Sequence, residues 1–456
     1  MKRTFALHAW LCLCLFCCLF TPVKGQQKHV ILISIDGLHP DMYLDPAWPV
    51  PNLHRMMKEG FYADHMLSVL PSFTYPAHTA MITGALPARS GIYFNQPLGN
   101  HGEWYWDAKA IKTPTLWQAL KAQGLTTAAL EWPVTLNAVI DWNLPEVWDA
   151  HYPDDHISLS RKVGTAGLAE EMEINATGRL DSVNMDETTY SLDENLGRMA
   201  AYILKAHQPA FMAVHLNAVD NFEHRYGRDA DSVRMAIAVD DRVIGNIIQA
   251  VNQSGIAGST TIIVVGDHGF SNINTVCRPN LLLTNMPEVK FYAAGGAAFL
   301  YVNPDLKPVD TALLLQKVTD SLNRLPTDKR KLFRIVNRGQ LRQMGADSAA
   351  LLGLFAEPGL VFSGSVMKSP AVNHGPGTSI QQNKLDGVFI PTHGGHHGYD
   401  PVLPEMYTGF IVAGAGIRSN EHIDEIRVVD IAPLIARLLQ IQFDAPDGKL
   451  IERILK

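Results

Sequence analysis

The sequence predicts an α/β fold in which helices flank a doubly wound, mostly parallel sheet. Apolar, β-branched runs at residues 29–35, 210–216 and 260–265 are typical of buried parallel strands. Segments with apolar residues at helical spacing alternate with them, and each is bounded by proline, glycine or a polar residue. Strands that alternate with helices favour a doubly wound sheet.

The remaining elements fit the same plan in chain order. A helix is expected from Pro51 to Gly60 and another over 115–123, followed by a strand over 126–130. A long helix starting near Asp231 and ending at Gly255 precedes the strand at 260–265. A later strand at 409–413 and a helix over 428–439 close the series.

Two segments fit the alternation poorly, and we expect them to be insertions over the sheet. Residues 137–181 are acidic and contain proline and tryptophan, while residues 285–383 mix short elements with glycine and proline. Both are expected to form a cap that shapes a substrate pocket. The predicted organisation is a signal peptide over 1–25 and one catalytic domain over 26–456 that carries these insertions.

The composition is that of a globular protein, with 456 residues of which 47% are hydrophobic and 18% charged. The net charge is −7, and removal of residues 1–25 with their three cations makes it −10. This negative net charge does not suggest a binding surface for duplex nucleic acid. A small anionic substrate would need metal ions to offset the acidity.

The N-terminus has the pattern of a secretory signal. Lys2 and Arg3 precede an apolar stretch over 9–20, and small residues permit cleavage before Gln26. A retained anchor is the alternative, but the apolar stretch is short for a membrane span. We expect an exported protein, periplasmic or secreted, without a stable membrane span after cleavage. Only Cys277 remains in the mature chain, which excludes an internal disulfide.

Short motifs of acids and histidines suggest a bimetallic site. There are four such motifs, and three of them follow an apolar run that predicts a strand. In doubly wound sheets, ligands bind beyond the carboxyl ends of the strands. Carboxylates and imidazoles delivered there suit a two-zinc phosphoryl-transfer centre. Each motif alone also fits a charged loop or a solvated helix face. The residues are Asp36, Asp220, His224, Asp267, His268 and His397.

Thr74 adds a hydroxyl to this set. A zinc ion could lower the pKa of the hydroxyl and make it a nucleophile. Pro76 suits the first turn of a helix, whose N-terminus favours a phosphoryl group. The plainer alternative is a threonine that only caps the helix.

These motifs, in this order, resemble the nucleotide pyrophosphatase/phosphodiesterase family of the alkaline phosphatase superfamily, in the form of a bacterial-type exported member. The resemblance covers most of the mature chain except the two insertions. It rests on IDGLHPD, VPNLHRMMKEG, LPSFTYPAHTAMITGALPARSGI, EWP, VDNFEHRYG, VVGDHGF, HGYDP with LPEM, and DAPDGK.

The resemblance implies two zinc ions per chain and a role for each ligand. Asp36, Asp267 and His268 would bind one zinc, which also holds Thr74, and the other would be bound by the set Asp220, His224 and His397. Spacing alone does not choose among the histidines at 393, 396 and 397. His397 is selected because it matches the HGYD motif of the family.

The resemblance also implies the chemistry. Thr74 would attack phosphorus, a phospho-threonine intermediate would form, and water would release it. Asn95 matches an asparagine that donates to a phosphoryl oxygen, and Tyr75 matches a pocket position. The expected substrate is a small phosphate diester or a nucleotide. Dinucleotides, nucleoside triphosphates, nucleotide sugars and glycerophospholipids are all compatible.

Three residues leave the substrate open. Glu223 stands where the family usually has glycine and would either bind a cationic group or point to solvent. His215 stands where an aromatic residue is frequent, and Trp132 would either stack on a base or pack in the core. A role in the substrate pocket is considered for Tyr75, Trp132, His215 and Glu223.

Other activities remain as alternatives. His78 at the fourth position after Thr74 and the threonine itself disfavour a sulfatase. The segment 137–181 lacks the Lys-x-Arg pair of some monoesterases, which favours diesters. A phosphomonoester or phosphonate hydrolase on the same site is one alternative, and an inactive exported zinc-binding module is another.

Overall fold

The computed structural model describes residues 27–99, 103–303, 310–366 and 387–456. The predicted signal peptide over 1–25 lies outside the described residues. The described strands, β1 to β17 in chain order, are His29–Ile35, Phe61–Leu67, Thr127–Leu130, Trp142–Leu144, Phe211–Leu216, Thr260–Val265, Ser271–Asn272, Thr275–Cys277, Val289–Ala294, Ala297–Val302, Phe333–Asn337, Leu352–Ala356, Leu360–Phe362, Phe389–Pro391, Gly395–His396, Phe410–Gly414 and Glu421–Arg427.

The described α-helices surround these strands. In chain order, α1 to α14 are Asp41–Leu44, Pro51–Glu59, Thr74–Thr83, Pro87–Ser90, Leu116–Ala122, Ser160–Val163, Leu168–Met172, Ser191–Ala206, Ala218–Tyr226, Asp231–Gln253, Thr311–Asn323, Thr327–Arg330, Arg338–Gln343 and Ile431–Leu439.

The central sheet has eight strands in the order β17-β2-β16-β6-β1-β5-β3-β4. All neighbours are parallel except β16, which pairs antiparallel with both β6 and β2. The strands β1, β5 and β6 lie side by side, and every residue in them is buried. Their continuous apolar runs are therefore explained by burial on both faces of the sheet. The mixed α/β architecture agrees with the sequence prediction.

Two apolar layers cover the sheet, one on each face. One layer contains residues of α2, α8 and α10, and the other contains residues of α3, α5 and α14. The helix α10 begins at Asp231, but its N-cap residue is Ala230. The late helical segment begins as a 3₁₀ turn at Val428–Asp430 and becomes α-helical at Ile431.

The segments predicted as insertions have structures of their own. In residues 137–181, β4 joins the edge of the central sheet and is followed by the short helices α6 and α7. In residues 285–383, the described part forms an antiparallel sheet in the order β11-β12-β10-β9 with its own apolar cluster. Among the described residues, no helix has the length and apolar character that a membrane crossing requires.

A buried carboxylate fixes the start of α9, the helix that carries Asp220 and His224. Asp193 on α8 accepts hydrogen bonds from the backbone N–H groups of Asn217 at 2.9 Å and Ala218 at 2.8 Å. Asp240 on α10 lies against Asp193, and burial together with that charge raises the pKa of Asp240 well above its usual range. The first turn of α9 is therefore fixed by a buried side chain of α8.

We predict that Asp193→Asn destabilises the protein. The amide keeps one acceptor but directs its NH2 group at a backbone N–H, which leaves a buried donor unsatisfied. The free energy of unfolding, measured by urea denaturation, should fall by about 1–3 kcal/mol. The same change at the exposed Asp444 serves as a control and should alter it by less than about 0.5 kcal/mol. Equal stability of the two variants would contradict this account of α9.

Candidate active site

The carboxyl ends of three adjacent strands bring the predicted acids together. Asp36 follows β1, Asp267 lies two residues after β6, and Asp220 lies in the first turn of α9 after β5. Because these strands are parallel neighbours, their ends meet at one edge of the sheet. The site is thus built by the topology of the sheet, from residues far apart in the sequence.

The first candidate metal group consists of Asp36, Asp267 and His268. His268 Nε2 lies 3.2 Å from Asp36 Oδ1 and 3.1 Å from Asp267 Oδ2. Both carboxylate oxygens are buried without a hydrogen-bond partner. The other oxygens are occupied: Asp36 Oδ2 lies 3.0 Å from His215 Nε2, and Asp267 Oδ1 accepts from the backbone N–H of Gly37. Each acid therefore presents one free oxygen to the same point.

Thr74 lies at this first group. It is the first residue of α3, and its Oγ1 is 3.4 Å from His268 Nε2. The N-cap position is taken by Phe73, and no side-chain cap bond is made. The capping role considered for Thr74 is therefore not observed. Its hydroxyl faces the candidate metal group at the N-terminus of a ten-residue helix.

The second candidate metal group is centred on Asp220. Its Oδ1 is buried without a hydrogen-bond partner and lies 3.5 Å from His224 Nε2 and 3.8 Å from His397 Nε2. The Nδ1 of His224 faces the carbonyl of Gly395 at 3.2 Å, and that of His397 faces the carbonyl of Ser72 at 2.9 Å. These carbonyls fix the tautomer that leaves each Nε2 free for a metal.

The ligand atoms of Asp220, His397 and His268 form a further group, in which all lie within 4.8 Å of one another. The ring of His397 stacks on that of His268 with centroids 3.7 Å apart. His268 thus lies between the two groups, whereas His224 is at the outer edge of the second. The neighbouring His396 turns its Nδ1 toward the carbonyl of His397, away from Asp220.

Burial and like charges perturb the pKa values throughout the cluster. Burial and the charge of Asp220 raise the pKa of Asp36 to about 7. Burial and neighbouring carboxylates raise the pKa values of Asp220 and Asp267 well above their usual range. Burial and neighbouring imidazoles lower the pKa of His397 well below its usual value. Metal ions would reverse the shifts of the three acids by stabilising the carboxylates, and they would reinforce the lowered pKa of His397 by binding the neutral imidazole.

Asn95 lies beside the nucleophile candidate. Its Oδ1 accepts a hydrogen bond of 3.0 Å from the backbone N–H of Tyr75, the residue after Thr74. Because the acceptor end is used in this way, the Nδ2 donors are the end available to a bound ligand. Both Asn95 and Thr74 are therefore at the N-terminus of α3.

The four residues considered for the substrate pocket have buried side chains. Tyr75, Trp132, His215 and Glu223 are each 0% exposed. Trp132 packs in the apolar layer under the sheet and against His78. Glu223 lies under Gly37, with neither carboxylate oxygen hydrogen-bonded, and burial raises its pKa well above the usual range. The alternative that Glu223 points to solvent is therefore wrong.

The structure adds a second group of titratable residues beside the site that the sequence did not indicate. Glu131 follows β3, Glu146 and His156 lie in the loop after β4, and Glu187 precedes α8, and these residues carry no ligand spacing. His156 Nδ1 lies 2.7 Å from Glu131 Oε2 and its Nε2 lies 3.0 Å from Glu187 Oε2. Burial raises the pKa of Glu131 to about 7. The EWP motif at 131–133 was the only signal in this region, and it points to the family rather than to these contacts.

Two further features lie outside this group of acids and histidines. A pocket of about 490 Å³ lies beside Phe73 and His396 and is lined mostly by apolar side chains, among them Ile273, Val361 and Phe362. A third candidate metal group, Asp64, His422 and Asp424, is on the surface of β2 and β17, away from the buried cluster.

Comparisons with known proteins agree with this geometry. The profile of the family described as type I phosphodiesterase / nucleotide pyrophosphatase matches residues 30–400. The bis(5'-adenosyl)-triphosphatase enpp4 of Mus musculus is 23% identical, with 96% of this chain and 84% of the relative covered. Ectonucleotide pyrophosphatase/phosphodiesterase family member 5 of Homo sapiens is 24% identical, with 92% and 76% covered.

More distant sequences and solved structures are also similar. The venom phosphodiesterase of Macrovipera lebetinus is 21% identical, with 92% of this chain and 44% of the relative covered. Murine ectonucleotide pyrophosphatase / phosphodiesterase 5 superposes with a TM-score of 0.66 at 18% identity, covering 94% of this chain and 100% of that chain. A threonine-to-alanine variant of the murine protein, described as inactive and in complex with AMP, gives 0.65, also at 18% identity, covering 93% and 98%.

We predict that zinc stabilises the folded protein, because the buried cluster has unpaired carboxylate oxygens and neutral imidazoles. Treatment with a chelator should lower Tm, and zinc should restore it. Binding to the native state alone contributes about 4 kcal/mol when free zinc is about 1,000-fold above Kd. Magnesium at the same concentration is the control and should restore less, because imidazole ligands favour zinc. A Tm that neither chelator nor zinc changes would contradict the candidate metal groups.

Proposed function

The chain belongs to the type I phosphodiesterase / nucleotide pyrophosphatase family, and we propose that it uses two zinc ions and Thr74 to cleave phosphate diesters through a phospho-threonine intermediate. The family makes it an enzyme that hydrolyses phosphodiester or pyrophosphate bonds. The metal, the nucleophile and the substrate are the parts that we propose.

The observation that carries the proposal is the convergence of unpartnered ligand atoms. Asp36 Oδ1, Asp267 Oδ2 and Asp220 Oδ1 are all buried without hydrogen-bond partners. A buried, unpaired carboxylate is costly unless a cation or a proton neutralises it. The imidazoles of His268 and His397 lie among these oxygens, and mixed nitrogen and oxygen ligands suit zinc. The residues present therefore fit a pair of zinc ions.

We assign the ligands in two sets. Asp36, Asp267 and His268, together with Thr74, would hold one ion. The other would be held by the set Asp220, His224 and His397. This assignment is supported by the 3.5 Å between His224 Nε2 and Asp220 Oδ1 and by the backbone carbonyls that orient the rings of His224 and His397.

The chain's own groups then perform two displacements. When bound, zinc would supply Lewis acidity that lowers the pKa of a hydroxyl or a water and neutralises charge on the phosphoryl oxygens. Thr74 Oγ1 attacks phosphorus, the bond to the leaving oxygen breaks, and that oxygen departs as an alcohol or a phosphate. Water then attacks the phosphorus and releases Thr74. Asn95 Nδ2 donates to a phosphoryl oxygen, and the N-terminus of α3 favours the negative charge.

The acids beside the site support a diester rather than a monoester. The negative charges of Glu187 and Glu146 contribute to the raised pKa values of both Asp220 and Tyr75. Repulsion from the negative charges of Glu187 and Glu146 disfavours binding of a monoester, which carries a second negative charge. The segment 137–181 also supplies no Lys-x-Arg pair to neutralise that charge.

Nucleotides are the substrate class that the relatives support. One relative is named a bis(5'-adenosyl)-triphosphatase, and a solved structure with the same fold contains AMP. Relatives that are named as ectonucleotide enzymes or as a venom enzyme also support an exported location, periplasmic or secreted. The substrate is then a small molecule outside the cytoplasm.

We predict that the zinc-loaded protein prefers diesters. Its kcat/KM on bis-p-nitrophenyl phosphate, or on the p-nitrophenyl ester of thymidine monophosphate, should exceed that on p-nitrophenyl phosphate by at least about 100-fold, which corresponds to about 2.7 kcal/mol in the transition state. The common leaving group makes the comparison direct. A preference for the monoester would overturn the diesterase assignment and favour the monoesterase alternative.

We predict that Thr74→Ala abolishes turnover while about two zinc ions per chain remain, because the acids and histidines still bind them. Thr74→Ser is the matched control, since it keeps the hydroxyl and should retain measurable activity. Steady-state kinetics on the preferred diester and zinc analysis by mass spectrometry provide the two measurements. Full activity in Thr74→Ala would remove Thr74 as the nucleophile.

A further inference from the structure

The two oxygens of Asp36 have different environments. Its Oδ2 accepts a hydrogen bond of 3.0 Å from Nε2 of His215, whose side chain is 0% exposed. Its Oδ1 is buried without a hydrogen-bond partner and lies 3.2 Å from His268 Nε2. One oxygen is therefore held by the protein, and the other is free to bind a metal.

His215 is itself held at its opposite edge. Its Nδ1 lies 3.1 Å from the backbone carbonyl of Glu131 and 3.5 Å from Oε2 of Glu146. The ring also packs edge-on against His78, with centroids 4.3 Å apart. The polar neighbours of its two nitrogens are thus oxygen atoms on both sides of the ring. The ring cannot rotate away from Asp36 without losing contacts at both edges.

The inserted segment 137–181 supplies one end of this arrangement. Glu146 belongs to it, and its side chain is 6% exposed. His156 also belongs to it, and its two ring nitrogens contact Glu131 and Glu187. The side chain of Glu187 is 30% exposed. The ring of His156 stacks on Trp148 of the same segment. The insertion is thus packed as a unit against the loop that follows β3 and against His215.

We propose that the insertion 137–181 positions the metal ligand Asp36 through Glu146 and His215. His215 is a positioning residue that touches neither substrate nor metal. By occupying Oδ2, it turns Oδ1 toward the first candidate metal group and restricts Asp36 to one-oxygen binding. This role rests on the proposed metal centre. Partners of this kind commonly change metal affinity by about 10–100-fold.

The test is zinc affinity, measured on folded protein by competition with a chromophoric chelator. His215→Phe keeps a buried ring but removes both ring nitrogens, and one of the two zinc ions should bind about 10–100-fold more weakly. His215→Gln can still donate to Asp36 Oδ2 and should recover most of the lost affinity. Glu146→Gln preserves shape and removes the charge behind His215, so it should weaken the same ion by a smaller factor.

A matched control and a spectroscopic measurement separate positioning from simple destabilisation. Glu170→Gln changes an exposed glutamate of the same insertion and should leave both zinc affinities unchanged. With cobalt in place of zinc, His215→Phe should alter the absorption bands of one ion only. If His215→Phe fails to fold, Glu146→Gln with its smaller perturbation carries the test.

The outcomes distinguish this proposal from the proposed function. The positioning role would be overturned if folded His215→Phe or Glu146→Gln bound both zinc ions with affinities within about twofold of the native protein. The proposed metal centre would not be affected by that result. Absence of zinc from the native protein would overturn the metal centre itself. Weakening of one ion, with recovery in His215→Gln, would support the role of the insertion.

Discussion

The constraint on which the site depends is the burial of three aspartates within one small region. Asp36, Asp220 and Asp267 raise one another's pKa values because burial removes water and places like charges together. An arrangement of this kind is unfavourable unless cations or protons neutralise it. We propose that a pair of metal ions does so, which would account for the free carboxylate oxygens and for the neutral imidazoles of His268 and His397.

Hydrogen bonds from other parts of the fold position each of these acids or the helix that carries it. Backbone N–H groups bind one oxygen of Asp267, and a histidine binds one oxygen of Asp36. The helix that carries Asp220 is fixed at its first turn by the buried Asp193. His215 lies on β5 and Asp193 lies on α8, so two of these contacts come from the sheet and from a packed helix. The contacts leave the other oxygens of Asp36 and Asp267 directed at one point, which would limit the reorganisation that ion binding requires.

The sequence predicted those parts of the molecule that local pattern determines. The strands β1, β5 and β6 are continuous apolar runs, and the acids stand shortly after their ends, so their convergence followed from the parallel sheet. The burial of Glu223 and Trp132 was not predictable, because it depends on what packs above Gly37 and beside His78. The contacts of Glu146 and His156 were also out of reach. Both residues lie in the segment 137–181, whose sequence lacks regular periodicity, and their partners are fixed only by tertiary packing.

The most direct measurement of the central claim is anomalous X-ray scattering at the zinc absorption edge from crystals grown with zinc. The account predicts two strong peaks about 3.5–4 Å apart. One should lie among Asp36, Asp267, His268 and Thr74, and the other among Asp220, His224 and His397. A single peak, or peaks confined to the surface group of Asp64, His422 and Asp424, would contradict the two-ion centre and the mechanism built on it.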